Sequence, residues 1–275
     1  MPDITGSDIA GGTWLTVDGA SALYDSRPAR RARLQWNAGT AISAVARVGI
    51  NFASNTPLRV LGLLGTTLPA GVRIDFRGGG GYGLGGNCDN ARTIIMPDGT
   101  TGVWALARDN GALETGAEIV IHNDCNGLPW ATNSTIIDLG ELWAGPAVEI
   151  GIRDGWEVQT VDPSEISRTR GGQTSVARRS AYRTLGVSFA GLSAAAVRGE
   201  ALANGVDLDR LSTALRGAAR CVVIPHYRDL ATRQIDPEAV NRSAIYGYAS
   251  QLPSIANITR GYFTGQLVVE EVPAR

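Results

Sequence analysis

The sequence predicts a mainly β protein. An N-terminal antiparallel β-sandwich of jelly-roll type spans residues 1–155, and an α+β domain over 156–275 sets two helices on an antiparallel sheet. Three observations carry this. Short β-type runs broken by turn residues fill the first part. Glycine, at 35 of 275 residues, is about twice its usual ~7% share, and much of it lies there. Beyond residue 155, helical periodicity appears between further β-type runs.

In chain order, the β-type runs are 44–50, 58–64, 72–76, 102–106, 118–121 and 135–139. Pro-Asp-Gly-Thr at 97–100 and Asp-Asn-Gly at 109–111 supply turn chemistry between them, because Gly and Asn accept positive φ at low cost. No helical period of ten or more residues interrupts this part. Many short strands so spaced make a sandwich or jelly roll.

In the second part, Ser193 is placed to cap a helix over 194–204, with Gly205 as its stop. Asp207 caps a second helix whose Leu208, Leu211 and Leu215 share one face. Beta-type segments at 182–189, 221–224, 244–249 and 262–272 flank the pair, which gives the α+β reading. The polar segment 161–176, with its Arg-Gly-Gly core, reads as a linker in preference to a docked loop.

Charge and composition exclude several function classes. There are 25 basic and 26 acidic side chains, for a net charge of -1. That balance argues against a nucleic-acid binder, whose affinity comes from excess cations meeting phosphates. Every basic residue is Arg and none is Lys, so a Schiff-base lysine, a Walker lysine and a lysine general base are all ruled out. Residues 1–150 hold 10 Arg and 14 acids (net -4), whereas 151–275 hold 15 Arg and 12 acids (net +3). Opposite signs of this kind help two regions, or two copies, meet in one orientation.

The N-terminal residues are polar and acidic and do not read as a secretory signal. No apolar run approaches the ~18 residues of a membrane span, so no membrane insertion is expected. Three cysteines, Cys88, Cys125 and Cys221, do not suggest a disulfide framework. The expectation is a soluble protein made in a reducing cytoplasm.

The search for chemistry yields no convergent site. Gly81, Gly83 and Gly86 satisfy G-x-G-x-x-G after a strand-like run, but the residues before Pro97 are neither helix-periodic nor long enough to hold a pyrophosphate. His122 and Cys125 stand at H-x-x-C spacing with too few further ligands for zinc. Cys221 sits in an apolar run as a core thiol does. At 186–191 a nucleophile-elbow pattern fails because Ala190 stands where glycine is required. Glu141 and Glu149 form one carboxylate pair that a glycosidase could use, although carboxylates are common on any sandwich. Arg27, Arg30, Arg31 and Arg33 read as a solvated or salt-bridged segment. The expectation is therefore no catalytic residue, no cofactor and no metal. All six Trp residues fall within the first 156 positions, where some must be core and others can present aromatic faces to sugars or protein partners.

Two stretches carry a family resemblance. Residues 55–71 (NTPLRVLGLLGTTLPAG) and 137–147 (IDLGELWAGPA) resemble virion proteins of tailed bacteriophages, in which a galactose-binding-like jelly roll sits in the tail or baseplate region. The order of 168–173 (RTRGGQ), 245–247 (IYG) and 265–272 (GQLVVEEV) is similar to such proteins as well. The resemblance implies a structural component of the virion tail tip, baseplate or neck, made in the host cytoplasm and acting through protein–protein assembly rather than as an enzyme. Its partners would be copies of itself and other phage tail proteins. The alternative is a carbohydrate-binding module for a host-surface glycan. The residues expected to touch a partner or a glycan are Gly78, Gly81, Tyr82, Gly83, Trp104 and Trp130.

Overall fold

The computed structural model describes residues 4–6, 9–16, 19–25, 30–78, 92–98, 102–106, 113–147, 149, 155–194, 197, 208–216, 219–232, 234–259 and 261–272. The protein is mainly β, and its strands pair antiparallel. It divides into two compact units, Met1–Ala147 with Tyr227–Arg242, and Val148–His226 with Ser243–Pro273. The segment 227–242, which the sequence places in the second region, thus belongs to the first unit.

The first unit opens with β1 (Ile4–Gly6), β2 (Ile9–Ala10), β3 (Gly12–Trp14), a 3-10 turn at Gly19–Leu23 and β4 (Ala32–Trp36). Then come β5 (Val45–Pro57), β6 (Val60–Leu64), β7 (Val72–Gly78), β8 (Arg92–Ile95) and β9 (Val103–Leu106). It continues with β10 (Leu113–Cys125), β11 (Leu128–Pro129), β12 (Ile136–Leu139) and β13 (Glu141–Gly145). One sheet has the order β1-β5-β10-β7-β8, with β2 on β5 and β11 on β10; two smaller sheets run β12-β4-β3 and β13-β6-β9.

Alternation along the strands makes this a sandwich. Val72, Ile74 and Phe76 of β7, Ile119 and Ile121 of β10, and Val48 and Ile50 of β5 point inward from the large sheet. They share one core with Leu34 and Trp36 of β4, Leu61 and Leu63 of β6, and Ile137 and Leu139 of β12. Burying each large side chain contributes about 1.5–3 kcal/mol, so this shared core is what fixes the sandwich. The β13-β6-β9 sheet also needs a small residue at one point. A Cβ on Gly62 would lie 2.1 Å from the Trp104 ring, so only glycine lets that indole lie over β6.

The second unit contains β14 (Trp156–Val161), β15 (Glu165–Arg168), β16 (Thr174–Ala177) and β17 (Tyr182–Ser193). Helix α1 (Leu208–Ala214) and strand β18 (Arg220–Val223) follow. Helix α2 (Pro237–Ser243), most of which belongs to the first unit, precedes β19 (Ile245–Thr259) and β20 (Tyr262–Glu271). The sheet order is β14-β17-β20-β19-β18, and among the described residues β15 pairs only with β16. Leu185, Val187 and Phe189 of β17 pack with Leu267 and Val269 of β20, with Leu208 at the start of α1 and with Leu215 just past its end. Leu211 packs against the same cluster, so the leucine face expected after Asp207 is the face that is used.

The helix expected over 194–204 lies mostly outside the described residues. Helix α2 carries a start signal of its own. Asp236 caps it through its side chain (Glu238 N–H to Oδ1, 2.9 Å), and Pro237 takes the first helical position. The linker reading of 161–176 is corrected. That stretch holds a hairpin, because Gly172 at φ 81° closes a three-residue turn, with its N–H on the Thr169 carbonyl at 3.0 Å.

Candidate functional site

Two polar surfaces stand out, and strand alternation builds both. On the large sheet, the residues between the inward-facing ones form an outer face: Arg47 on β5, Arg73, Asp75 and Arg77 on β7, Thr93 on β8, and Glu118 and His122 on β10. Register explains who meets whom. Thr93 stands directly opposite Asp75 and donates to its Oδ1 at 2.8 Å. Glu118 stands opposite Arg77 and accepts from Arg47 at 3.4 Å. His122 reaches Asp75 diagonally, since Val120 is the residue opposite Asp75.

The proton inventory of this cluster follows from donor rules. Arg73 Nη2 lies 2.7 Å from His122 Nδ1, and a guanidinium can only donate, so Nδ1 is an acceptor. The ring therefore carries its proton on Nε2 and donates it to Asp75 Oδ2 at 2.9 Å. Arg77 Nη2 adds a contact to the same oxygen at 3.1 Å. Burial alone would push the Asp75 carboxyl up. The hydrogen bonds from His122, Thr93 and Arg77 outweigh it and hold the group well below the ordinary carboxylate value. The face is thus an interlocked ionic network whose members mostly satisfy one another.

The second surface is the arm of the second unit. β14 is the edge strand of its sheet, paired with β17 from Trp156↔Val187 to Val161↔Tyr182. Trp156 and Val158 stand opposite core residues Val187 and Leu185, yet they remain 45% and 38% exposed. Just past this pairing the chain continues as the β15–β16 hairpin. Its base is tied by Arg179 N–H to Ser164 Oγ at 3.1 Å and by an exposed Arg179–Glu165 ion pair at 2.7 Å. Every residue from 165 to 181 is exposed. Ile166 and Val176 pair directly across the hairpin, at 68% and 50% exposure. From 166 to 181 there are four arginines (Arg168, Arg170, Arg178 and Arg179) and no carboxylate.

Gly78 is the buried last residue of β7. Gly81, Tyr82 and Gly83 lie outside the described residues. Trp104, expected to meet a partner or glycan, is 4% exposed, with its ring over Gly62. Its backbone N–H donates to Asn241 Oδ1 at 2.7 Å, and Asn241 Nδ2 donates to its carbonyl at 3.1 Å. The Asn241 amide thus pairs with edge strand β9 as a neighbouring strand would. Trp130 is half-buried. Its Nε1 donates to the His122 carbonyl at 2.8 Å, and its ring packs 5.7 Å from that of Trp36. Both tryptophans are held by their own chain, Trp104 by burial against Gly62 and by its backbone bonds to Asn241, and Trp130 by its indole N–H and its ring contact.

Other sequence candidates separate in the same way. Glu141 is fully buried in the first unit, whereas Glu149 is exposed and belongs to the second. Cys125 donates to the Ala70 carbonyl and does not share a partner with the His122 ring. Between them in sequence, Asn123 is fully buried and ties down 130–131. Its Oδ1 accepts from the Trp130 and Ala131 N–H groups, and its Nδ2 donates to the Ala41 and Ala131 carbonyls. Burial pushes the Cys221 thiol up to about 11, as suits a core thiol. Arg30 pairs with Asp25 and Arg33 with Asp138, so these two members of the basic cluster are salt-bridged. Among the described residues no three His, Cys, Asp or Glu side chains are grouped to hold a metal ion. No described helix is long and apolar enough to cross a membrane.

No protein-family model matches this sequence, and no curated protein matches it. Among solved structures it is similar to CpGH89CBM32-6 of Clostridium perfringens, at 9% identity and TM-score 0.31, over 52% of this chain and 95% of that one. It is also similar to the enzymatically active domain of tailspike protein 4 of bacteriophage CBA120, at 14% identity and TM-score 0.31. That match spans 52% of this chain and only 19% of the tailspike chain. Overlaps this partial do not define what the present chain binds or does.

Proposed function

We propose that this protein is a structural component of a tailed-phage virion, in the tail tip, baseplate or neck, and that it works through protein–protein assembly. The observation that carries the reading is the arm. A hairpin exposed from 165 to 181 extends from an open edge strand that still shows Trp156 and Val158, which is surface suited to a neighbouring protein. The phage-like segments at 55–71 and 137–147 support the same reading. Mass spectrometry and immunogold microscopy of purified particles test it. The chain is expected in mature virions at stoichiometric amounts, and its absence from them defeats the assignment.

A second reading, host-glycan binding, is favoured by one observation: the outer face of the large sheet presents the partly exposed Arg47 and Arg77 beside Thr93, groups that hydrogen-bond sugar hydroxyls. It does not rest on Trp104 or Trp130. A glycan array with the Arg47→Ala and Arg77→Ala variants tests it. Binding lost in both variants supports the reading, and no glycan retained by the wild-type protein ends it.

A further inference from the structure

We infer that the β14 edge and the β15–β16 arm form the surface by which one copy of this chain grips a second copy, with the arm laid against the acid-rich part of its neighbour. The inference rests on the assembly reading above and adds the partner and the contacting element.

Three features support it. First, the arm has little reason to stay folded alone. An isolated two-stranded hairpin is marginal in water, and this one leaves its cross-strand apolar pair, Ile166 and Val176, open to solvent. Second, size fits. Residues 156–181, nearly all exposed, number about as many as the ~20–30 that one side of a standard protein interface contributes. Third, charge selects the partner. The arm from 166 to 181 carries four arginines and no acid, while residues 1–150 of the same chain carry a net -4. The opposite net charge of this half of a second copy favours its approach to the arm.

The same charges fix the mode of association. Two arms repel one another, so a symmetric arm-to-arm dimer is disfavoured. Contact then runs from the arm of one copy to a different surface of the next, either reciprocally about a two-fold axis or head to tail. The first closes as a dimer, and the second closes into rings or extends as chains.

Mass photometry and sedimentation velocity on the full chain, in 50 mM and 500 mM NaCl, test this at roughly low and high screening. The wild type is expected to form dimers or larger species that weaken with salt. The exposed double change Ile166→Asp/Val176→Asp should weaken self-association at least tenfold. The triple change Arg168→Glu/Arg170→Glu/Arg178→Glu should do the same while removing the salt dependence. Circular dichroism and thermal melting confirm that each variant is folded. A wild type that stays monomeric at high micromolar concentration overturns the inference, as does self-association indifferent to both variants. Detection in virions is a separate measurement, so a monomeric chain that is still found in particles sinks the self-contact and leaves the assembly role standing.

Discussion

The outer face of the seven-stranded sheet and the β15–β16 arm are both β surfaces rich in arginine, and they treat charge in opposite ways. On the sheet, Arg47, Arg73 and Arg77 lie among Asp75, Glu118 and His122, and each cation finds an acceptor within its own fold. On the arm, one exposed ion pair, Arg179–Glu165, marks the base, and the rest of the hairpin carries cations alone. A surface that neutralises itself contributes to its own stability. One with an excess of a single sign, in solvent, contributes little to folding and is instead suited to a partner.

The largest expected effect probes the core beneath the sheet. Trp36 is fully buried and its Nε1 donates to the Gly39 carbonyl at 2.9 Å. Trp36→Ala should cost about 3–5 kcal/mol, read as a drop in the urea midpoint at unchanged slope. A loss under about 1 kcal/mol would mean the sandwich core is not packed around this indole.

Next comes Asn123, whose amide satisfies backbone groups at 41, 130 and 131. Asn123→Ala leaves those buried groups unpaired and should cost about 1–3 kcal/mol. Hydrogen exchange at the Ala131 amide, which donates to Asn123 at 2.7 Å, should speed up in step. Unchanged protection there would argue against the pin.

The ionic network gives a pH signature that the arm lacks. Asp75 has a folded-state value below its ordinary 3.8, so its contribution to stability is complete above that value and is lost as pH falls through the folded one. Asp75→Asn should lower stability at pH 7 by about 1–2 kcal/mol. It should also flatten the acid limb of the stability profile between about pH 4 and pH 2. A variant whose profile still tracks the wild type over that range would show that another carboxylate governs the acid limb.

The smallest effect is expected on the arm. Ile166→Asp at dilute, monomeric concentration should change unfolding stability by no more than about 0.5 kcal/mol, since the side chain is mostly in solvent. A cost above about 2 kcal/mol would place the arm within its own chain's packing and erase the contrast between the two surfaces.

Strand positions were widely legible, because alternation and turn residues are local signals. Each of the six β-type runs of the first part overlaps an observed strand, and 182–189, 221–224, 244–249 and 262–272 overlap β17 to β20. Local signals can also mislead. The Arg-Gly-Gly tract at 170–172 has the composition of a linker, yet its Gly172 at φ 81° supplies what a hairpin turn requires. The H-x-x-C spacing drew attention to His122 and Cys125, while the residue between them with the most hydrogen bonds, Asn123, gave no motif.

What the sequence determined by itself was what the chain's local period and chemistry determine: a mainly β protein, the places where strands run, the leucine face of α1, and the exclusion of lysine chemistry. Which residues meet was decided only by tertiary structure. Asp75, Thr93 and His122 lie 18 and 47 residues apart in pairings with Asp75, and register across three strands brings them together. The fate of each tryptophan was likewise settled by packing. A single sequence records that an indole is large and amphipathic, whereas its neighbours decide whether that indole fills a core, as Trp104 does, or stays on an open edge, as Trp156 does.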